Sequence, residues 1–350
     1  MKLLKIDQIK GEEILARSIM TDDFHELLSE GAKLKVEYIA KLQDLGVTEV
    51  YVKDEEVDAT TLEILKKEVN VKCREKVKDL ISRHTYHNSK GMEEITNTAD
   101  NIITNILEEE DVVEQIYDIK ERSADLYEHS INTCTLATMV SLKLQLSKEM
   151  VHDISVGCLL HDLGLRYVTV DFDNIAIEDL QPKEMEEYKK HPVYAYSALK
   201  GEDWLSKHSK EIILCHHERM DGSGYPLKAK ELTWGIKIAA VCDFFDEHIC
   251  GIGCMRMKVY EVVEYLKSYK GKLFDERVVD ALLDFTAVYP SGSKVLTSEG
   301  EVGIVIKQNK NFPERPVIQI VERKDGTILD KAEIKDLLQY NNVVIEKVLN

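Results

Sequence analysis

The chain has 350 residues, of which 44% are hydrophobic and 31% charged, and its formal net charge is -18. That length exceeds one ordinary core and predicts two or three domains. The acidic balance argues against binding a nucleic-acid polymer through a broad basic face, and no apolar run approaches the roughly 18 to 20 residues that span a bilayer. The opening "MKLLKIDQIKGEE" has too short an apolar patch for a signal peptide, so a cytoplasmic location is expected.

In chain order, residues 1–55 read as a small α/β unit. "ILARSIMTDDFHELLSEGAKL" alternates as a hairpin around Asp22 and Asp23, "VEYIAKLQDLG" is an amphipathic helix stopped by Gly46, and "VTEVYV" is a strand. Residues 56–110 are charged and helical, broken at "HTYHNSKGM", and read as a connector. From 111 to 288 apolar stripes recur at helical spacing, as in "MVHDISVGCLLHDLG" and "WGIKIAAVCDFFDEH". Beyond Pro290 the period drops to two, with turns at Glu299-Gly300 and Asp325-Gly326. Residues 289–350 therefore read as a small antiparallel β-rich unit, closed by a short helix and "VVIEKVLN". The seven cysteines show no zinc-knuckle spacing and read as reduced thiols, mostly buried.

The helical region carries metal-capable side chains in a distinctive order: His129, the pair His161-Asp162, His191, the pair His216-His217, and Asp243. They converge only if the helices pack as a bundle with these positions turned inward. Neighbours on a helix point about 100° apart, so one ion is not gripped by both members of a pair. Two ions a few ångströms apart, bridged by Asp162, suit the pattern better. The second histidine pair opens "HHERMDGSGYP", where Gly222 and Gly224 let the chain turn closely before Tyr225 and Pro226.

With this order and this eleven-residue stretch, the sequence resembles the HD-GYP family, a branch of the HD metal-dependent phosphohydrolases. The resemblance covers roughly residues 111–288. It implies a mainly α protein: an all-helical HD-type metal-binding bundle with a small α/β unit before it and a small β-rich unit after it. It also implies two or three divalent metal ions, iron or manganese, and hydrolysis of cyclic di-GMP or a related cyclic dinucleotide. The implied ligands are His129, His161, Asp162, His191, His216, His217 and Asp243. Some family members hold a third ion with a carboxylate one turn before the first histidine, where Asp125 stands here. A metal-bridging hydroxide would attack phosphorus, with His161 and Asp162 at the centre of the reaction. Gly222, Gly224, Tyr225 and Pro226 would form the substrate lip, with Tyr225 stacking on or hydrogen-bonding to guanine, and Glu218 would orient a ligand or the loop.

The chain departs from the family pattern twice. Where many members have a lysine taken to contact the scissile phosphate, this sequence has Leu165, followed by Arg166. Where many have an Arg-Pro-Tyr-Arg run, it has "EHICGIGCMRMK", in which Arg256 falls near one of those arginines. Besides the phosphodiesterase, three readings stand: a receptor that binds the nucleotide with little turnover, a hydrolase for another phosphorylated nucleotide, and a scaffold. The terminal units would serve a homodimer or a signalling partner.

Overall fold

Serines and an aspartate punctuate the central helices by accepting from the first-turn N–H groups that a helix leaves unpaired. Ser123 accepts from Leu126 N and opens α4 (Ala124–Lys143). Ser147 does the same for α5 (Lys148–Leu160), Ser206 for α8 (Lys207–Cys215) and Asp275 for α11 (Glu276–Leu283). Pro182 starts α6 (Pro182–Lys189), where its missing N–H costs nothing. A left-handed Gly251 ends α9 (Trp234–Cys250). Between α6 and α8 lies α7 (His191–Leu199), and α10 (Val259–Ser268) precedes α11. The computed structural model describes residues 2–16, 18–20, 26–52, 59–82, 90–109, 112, 115–116, 119–120, 123–284, 286–309 and 312–349.

These helices form the bundle that the sequence predicts. α5 runs against α4 and α8, and α9 closes over all three. Glycines allow the close approach: a Cβ on Gly157 or Gly235 would stand 2.9 Å or less from side-chain atoms of Ile212. Two apolar layers result. One gathers Ile131, Leu159, Leu160, Leu165 and Tyr194, the other Val140, Ile154, Ile238, Phe245 and Val279. Helices α2 (Ala59–Ser82) and α3 (Lys90–Ile106), in the stretch read as a connector, pack on α4 and put Leu65, Val69 and Ile103 into the first layer.

The N-terminal unit pairs β1 (Lys2–Lys5) with β4 (Glu49–Val52) and β2 (Ile19–Met20) with β3 (Glu26–Leu28), both antiparallel. Helix α1 (Val36–Asp44) covers a core of Leu15, Leu34, Leu42 and Val50. The turn expected at Asp22-Asp23 lies outside the described residues. The C-terminal unit is one antiparallel sheet in the order β8-β7-β6-β5-β9, made of β5 (Lys294–Thr297), β6 (Val302–Lys307), β7 (Val317–Glu322), β8 (Ile328–Asp336) and β9 (Ile345–Leu349). Its two predicted Gly turns hold, with φ of 79° at Gly300 and 83° at Gly326. The short helix expected near the end is a turn instead, because Asp336 ends β8 by accepting from Leu338 N and Asn309 Nδ2. Among the described residues no helix is long and apolar enough to cross a membrane.

Candidate metal centre

Three of the histidines sit where a helix stops. His161 caps α5, His216 caps α8, and His191 stands at the joint between α6 and α7. The last carbonyls of a helix have no intrahelical partner. Each of these imidazoles uses one, donating from Nδ1 to the carbonyl three residues back: His161 to Cys158 O at 2.7 Å, His191 to Tyr188 O at 2.8 Å, His216 to Ile213 O at 2.9 Å. His129 lies inside α4, where carbonyls are already engaged, and its Nδ1 donates to Asp246 Oδ2 at 3.0 Å. In all four rings the tautomer is thereby fixed, with the Nε2 lone pair turned inward. The helix C-termini also bring partial negative charge to the same point, which favours a bound cation.

Inward, the donors form two groups. His129 Nε2 and His161 Nε2 lie 3.2 Å apart, and each is 3.2 Å from Asp243 Oδ1. Asp162 Oδ2 completes this group at 3.5 and 3.4 Å from the same two nitrogens. In the second group His191 Nε2 and His216 Nε2 are 3.2 Å apart, with Asp162 Oδ1 at 3.3 and 3.6 Å from them and His217 beside them. Asp162 thus divides its two oxygens between the groups, as the sequence argument for a bridge requires. Donors about 2.0 to 2.1 Å from one ion stand roughly 3.3 Å apart at tetrahedral angles, which matches both sets. Asp243 Oδ2 is buried without a hydrogen-bond partner, a cost that a cation beside it would offset. Imidazole and carboxylate donors together suit borderline divalent ions. On these observations the residues fit a multi-metal site.

The electrostatics agree. Burial alone would raise the Asp162 carboxyl, but the His161 charge and hydrogen bonds from His191 and His216 hold it well below the usual range. Asp243 is likewise held well below, against burial, by His129 and His161. Burial would lower His129, yet hydrogen bonds to Asp243 and Asp246 raise it well above an ordinary imidazole. Burial, with His216 beside it, pushes His217 well below.

Close packing brings the pieces together. A Cβ on Gly164 would stand 1.9 Å from His191 O, so only glycine lets the turn after Asp162 meet the start of α7. The Gly-Ser-Gly-Tyr loop folds back on the second histidine pair. A Cβ on Gly224 would stand 2.4 Å from His217 O and 2.5 Å from Arg219 N, and Gly222 has a φ of 82°. Glu218, fully buried, accepts from Leu227 N at 2.6 Å and Ala229 N at 2.9 Å, and so latches the far side of this loop.

Beside the second group opens a cavity of about 320 Å³, whose lining includes His217, Arg219, Tyr225, Lys189 and Glu247. Of the residues expected at the substrate lip, Gly224 and Tyr225 reach it, whereas Gly222 and Pro226 lie outside its lining, as do Arg166 and Arg256, the two arginines offered as substrate contacts where the family pattern breaks. Tyr225 stacks on His217 with ring centroids 4.6 Å apart, so one ring face supports a candidate ligand. Asp125 is not brought to the cluster. Its side chain is 65% exposed and pairs with Arg256 Nη2 at 3.6 Å. Arg256 in turn donates from Nε to Cys250 O at 2.7 Å. Leu165 is fully buried in the core, and Arg166 lies over the Tyr167 ring. Sequence reasoning missed Asp246 and Glu247, and with them the cavity cations Lys189 and Arg219. The signal for the first two was present: Asp243, Asp246 and Glu247 fall at i, i+3 and i+4, on one face of a helix.

A protein-family profile described as "HD domain" matches residues 77–278, more than half of the chain. The chain belongs to the HD domain family. A second profile, "KOW domain associated with HD domain", matches residues 294–350 of this HD protein, the antiparallel sheet. Among its curated relatives are a cyclic di-GMP phosphodiesterase of Pseudomonas aeruginosa, 25% identical over 242 residues (68% of this chain, 58% of the relative), and one of Thermotoga maritima, 29% identical over 258 residues (67% and 68%). The chain therefore spans somewhat under three fifths of the first relative and about two thirds of the second. Among solved structures, the HD-GYP-type protein Bd1817 of Bdellovibrio bacteriovorus matches with a TM-score of 0.44 and 15% identity, over 81% of this chain and 98% of that one. The family resemblance read from the histidine order thus holds: the chain is an HD-domain protein similar to cyclic di-GMP phosphodiesterases, with buried His/Asp groups fitting a multi-metal site.

Proposed function

We propose that this HD protein is a metal-dependent phosphodiesterase that hydrolyses cyclic di-GMP or a closely related cyclic dinucleotide. The observation that carries the reading is the Asp162 carboxylate, which turns one oxygen to each of two buried imidazole groups, the second of which reaches an open cavity through His217. The relatives named above support the nucleotide class. His129, His161, Asp162 and Asp243 would hold one divalent ion, and Asp162, His191, His216 and His217 a second, iron or manganese suiting these donors. When bound, such ions polarise a phosphodiester and supply a water of lowered pKa.

The protein's own side chains hold and position the substrate. Leu165, sealed in the core, offers nothing to a phosphate. Lys189 and Arg219 line the cavity instead. The Lys189 ammonium stands 5.7 Å from the Tyr225 ring centroid, and among the described residues no acidic partner lies within ion-pair distance of it. Arg219 rests over Phe274 and donates to His216 O, which holds its guanidinium beside the second histidine pair. These two cations carry the phosphate grip.

The deciding experiment loads chelator-stripped protein with Mn(II) or, without oxygen, Fe(II). It then follows cyclic di-GMP and its products by chromatography, with metal content measured on the same sample and Asp162→Ala as control. Metal-dependent hydrolysis that the variant loses is expected. Bound metal and bound nucleotide without hydrolysis would instead favour the receptor reading, for which the buried Leu165 and the Arg256 side chain engaged by Asp125 speak.

A further inference from the structure

Helix α2 buries Leu65, Val69 and Cys73, spaced four apart, against the bundle. At 3.6 residues per turn the next places on that face are 76 and 77, and 76 is a lysine. Its side chain is 24% exposed, and its ammonium stands 3.8 Å from Oδ1 of Asp246, whose side chain is 1% exposed. Among the described residues no other carboxylate lies within ion-pair distance of Lys76. Its neighbours on α2 spend their charges at the surface: Arg74 pairs with Asp100 at 2.7 Å and Lys72 with Glu128 at 3.6 Å.

Asp246 is the residue that holds His129. Its Oδ2 accepts from His129 Nδ1 at 3.0 Å, from Cys250 Sγ at 3.2 Å and from Asn132 Nδ2 at 3.3 Å, while Oδ1 turns to Lys76. A carboxylate held at one oxygen alone can still rotate about its Cβ–Cγ bond. A charge at the other oxygen fixes its plane, and with it the direction in which Nδ1 of His129 points. A carboxylate this deeply buried also needs a positive partner. Lys76 is absent from the cavity lining, so contact with a substrate does not explain it.

We propose that Lys76 is a positioning residue of the first metal group: through Asp246 it fixes the His129 ring, so the seating of α2 on α4 sets how tightly that group holds a divalent ion. The stretch that reads from sequence as a connector thereby has a hand on the centre. Two effects of the ammonium oppose each other. Through space it repels a cation, but its partly exposed position lets solvent screen that repulsion. Through Asp246 it acts by direct contact on a donor of the site, and this second effect prevails. The inference rests on the two aspartate-bridged groups being metal sites, and the test separates the two claims.

Full-length protein is stripped with chelator, and its Mn(II) affinity is titrated against a chelating indicator, with thermal unfolding followed on the same samples. Lys76→Met keeps the apolar stem and is expected to weaken manganese binding by about 3- to 10-fold, less than loss of the direct partner Asp246. Lys76→Arg should restore most of the affinity. In an Asp246→Asn background Lys76→Met should have no further effect, because the contact through which it acts is gone. Arg74→Met removes a charge pair of the same helix and should leave manganese binding as in the wild type. Equal or tighter binding by Lys76→Met overturns the proposal and leaves the metal sites standing, since removing a merely repulsive charge strengthens cation binding. An equal loss from Arg74→Met, or additive losses in the double variant, overturns the route through Asp246. A wild type that takes up no manganese overturns both claims. Should Lys76→Met unfold at the assay temperature, Lys76→Gln, which keeps a donor without the charge, is held to the same expectation.

Discussion

Replacing Gly164 by alanine tests whether the turn after Asp162 and the start of α7 are built around each other. The added Cβ would stand 1.9 Å from His191 O, 2.7 Å from His191 C and 2.9 Å from Ala195 N, all backbone atoms that cannot rotate away. Ordinary contact begins near 3.4 Å, so the two segments must part by about 1.5 Å. That movement falls on the pair that joins them, Asp162 Oδ1 and His191 Nε2, now 3.3 Å apart. Overpacking of this kind costs about 3 kcal/mol or more, which lowers the melting temperature by roughly 6 to 12 °C in a domain of this size. Manganese at the second group should be lost in parallel. Two controls isolate the cause. A Cβ at Gly157 meets Ile212 side-chain atoms at 2.9 to 3.1 Å, a much smaller overlap than 1.9 Å against backbone, and a Cβ at Gly201 meets nothing within 4 Å. Thermal unfolding by circular dichroism and manganese content should rank the variants Gly201→Ala, Gly157→Ala, Gly164→Ala in order of increasing damage. A Gly164→Ala protein that melts and binds manganese like the wild type would refute the reasoning.

Asp246→Asn removes the charge that orients His129 through Nδ1, and should weaken manganese binding by about 10- to 100-fold in competition with a chelating indicator. The two imidazoles that face Asp243 Oδ1, His129 and His161, are both held above the ordinary histidine value, against burial, by the aspartates around them. A proton competes with metal for each, so affinity should be highest above these raised values and fall as pH drops through them, with the midpoint above about 6.5. Calorimetry in buffers of different ionisation enthalpy should register proton release on manganese binding near neutral pH. Glu218→Ala removes both anchors of the loop beyond Tyr225, each a hydrogen bond to a charged group worth about 1.5 to 3 kcal/mol. Trypsin should then cut at Lys228 and Lys230 well before the wild type is cleaved, at temperatures where both remain folded.

The cage was legible in the sequence because its chemistry is concentrated in few residue types at helix ends. An imidazole beside an aspartate after an apolar helical run has little reason to be there unless something binds it. The 100° step between helical neighbours suggested a place for Asp162 between two groups, and its two oxygens do divide between them. What the sequence left hidden depends on directions rather than identities. Asp125 shares a face with His129, but one turn nearer the start of α4 it has reached solvent, where Arg256 meets it. Tyr225 has the chemistry to stack on a base, and the folded loop places its ring on His217. Asp246 and Glu247 were visible as acidic residues. Only the packing of α9 across α4 and α5 decides that one turns to His129 and the other toward the cavity. The helices before residue 110 read as a connector because charged residues are as frequent as apolar ones along α2 and a polar stretch interrupts the pattern before α3; Leu65, Val69 and Ile103 nevertheless form a stripe narrow enough to seat on the bundle.

The carbonyl-anchored histidines have an evolutionary corollary. Because His161, His191 and His216 are each tied to the third residue before them, the positions of the inward nitrogens are set by where three helices stop. Inserting or deleting one residue within such a helix turns everything beyond it by about 100° and shifts it by about 1.5 Å, enough to point an imidazole out of the cage. Lengths inside α5, α6 and α8 are therefore frozen, while residues 168–181 and 200–206, which join helices without setting any nitrogen, are free to lengthen or shorten. Among divergent relatives, gaps should gather in those joins and avoid the helices.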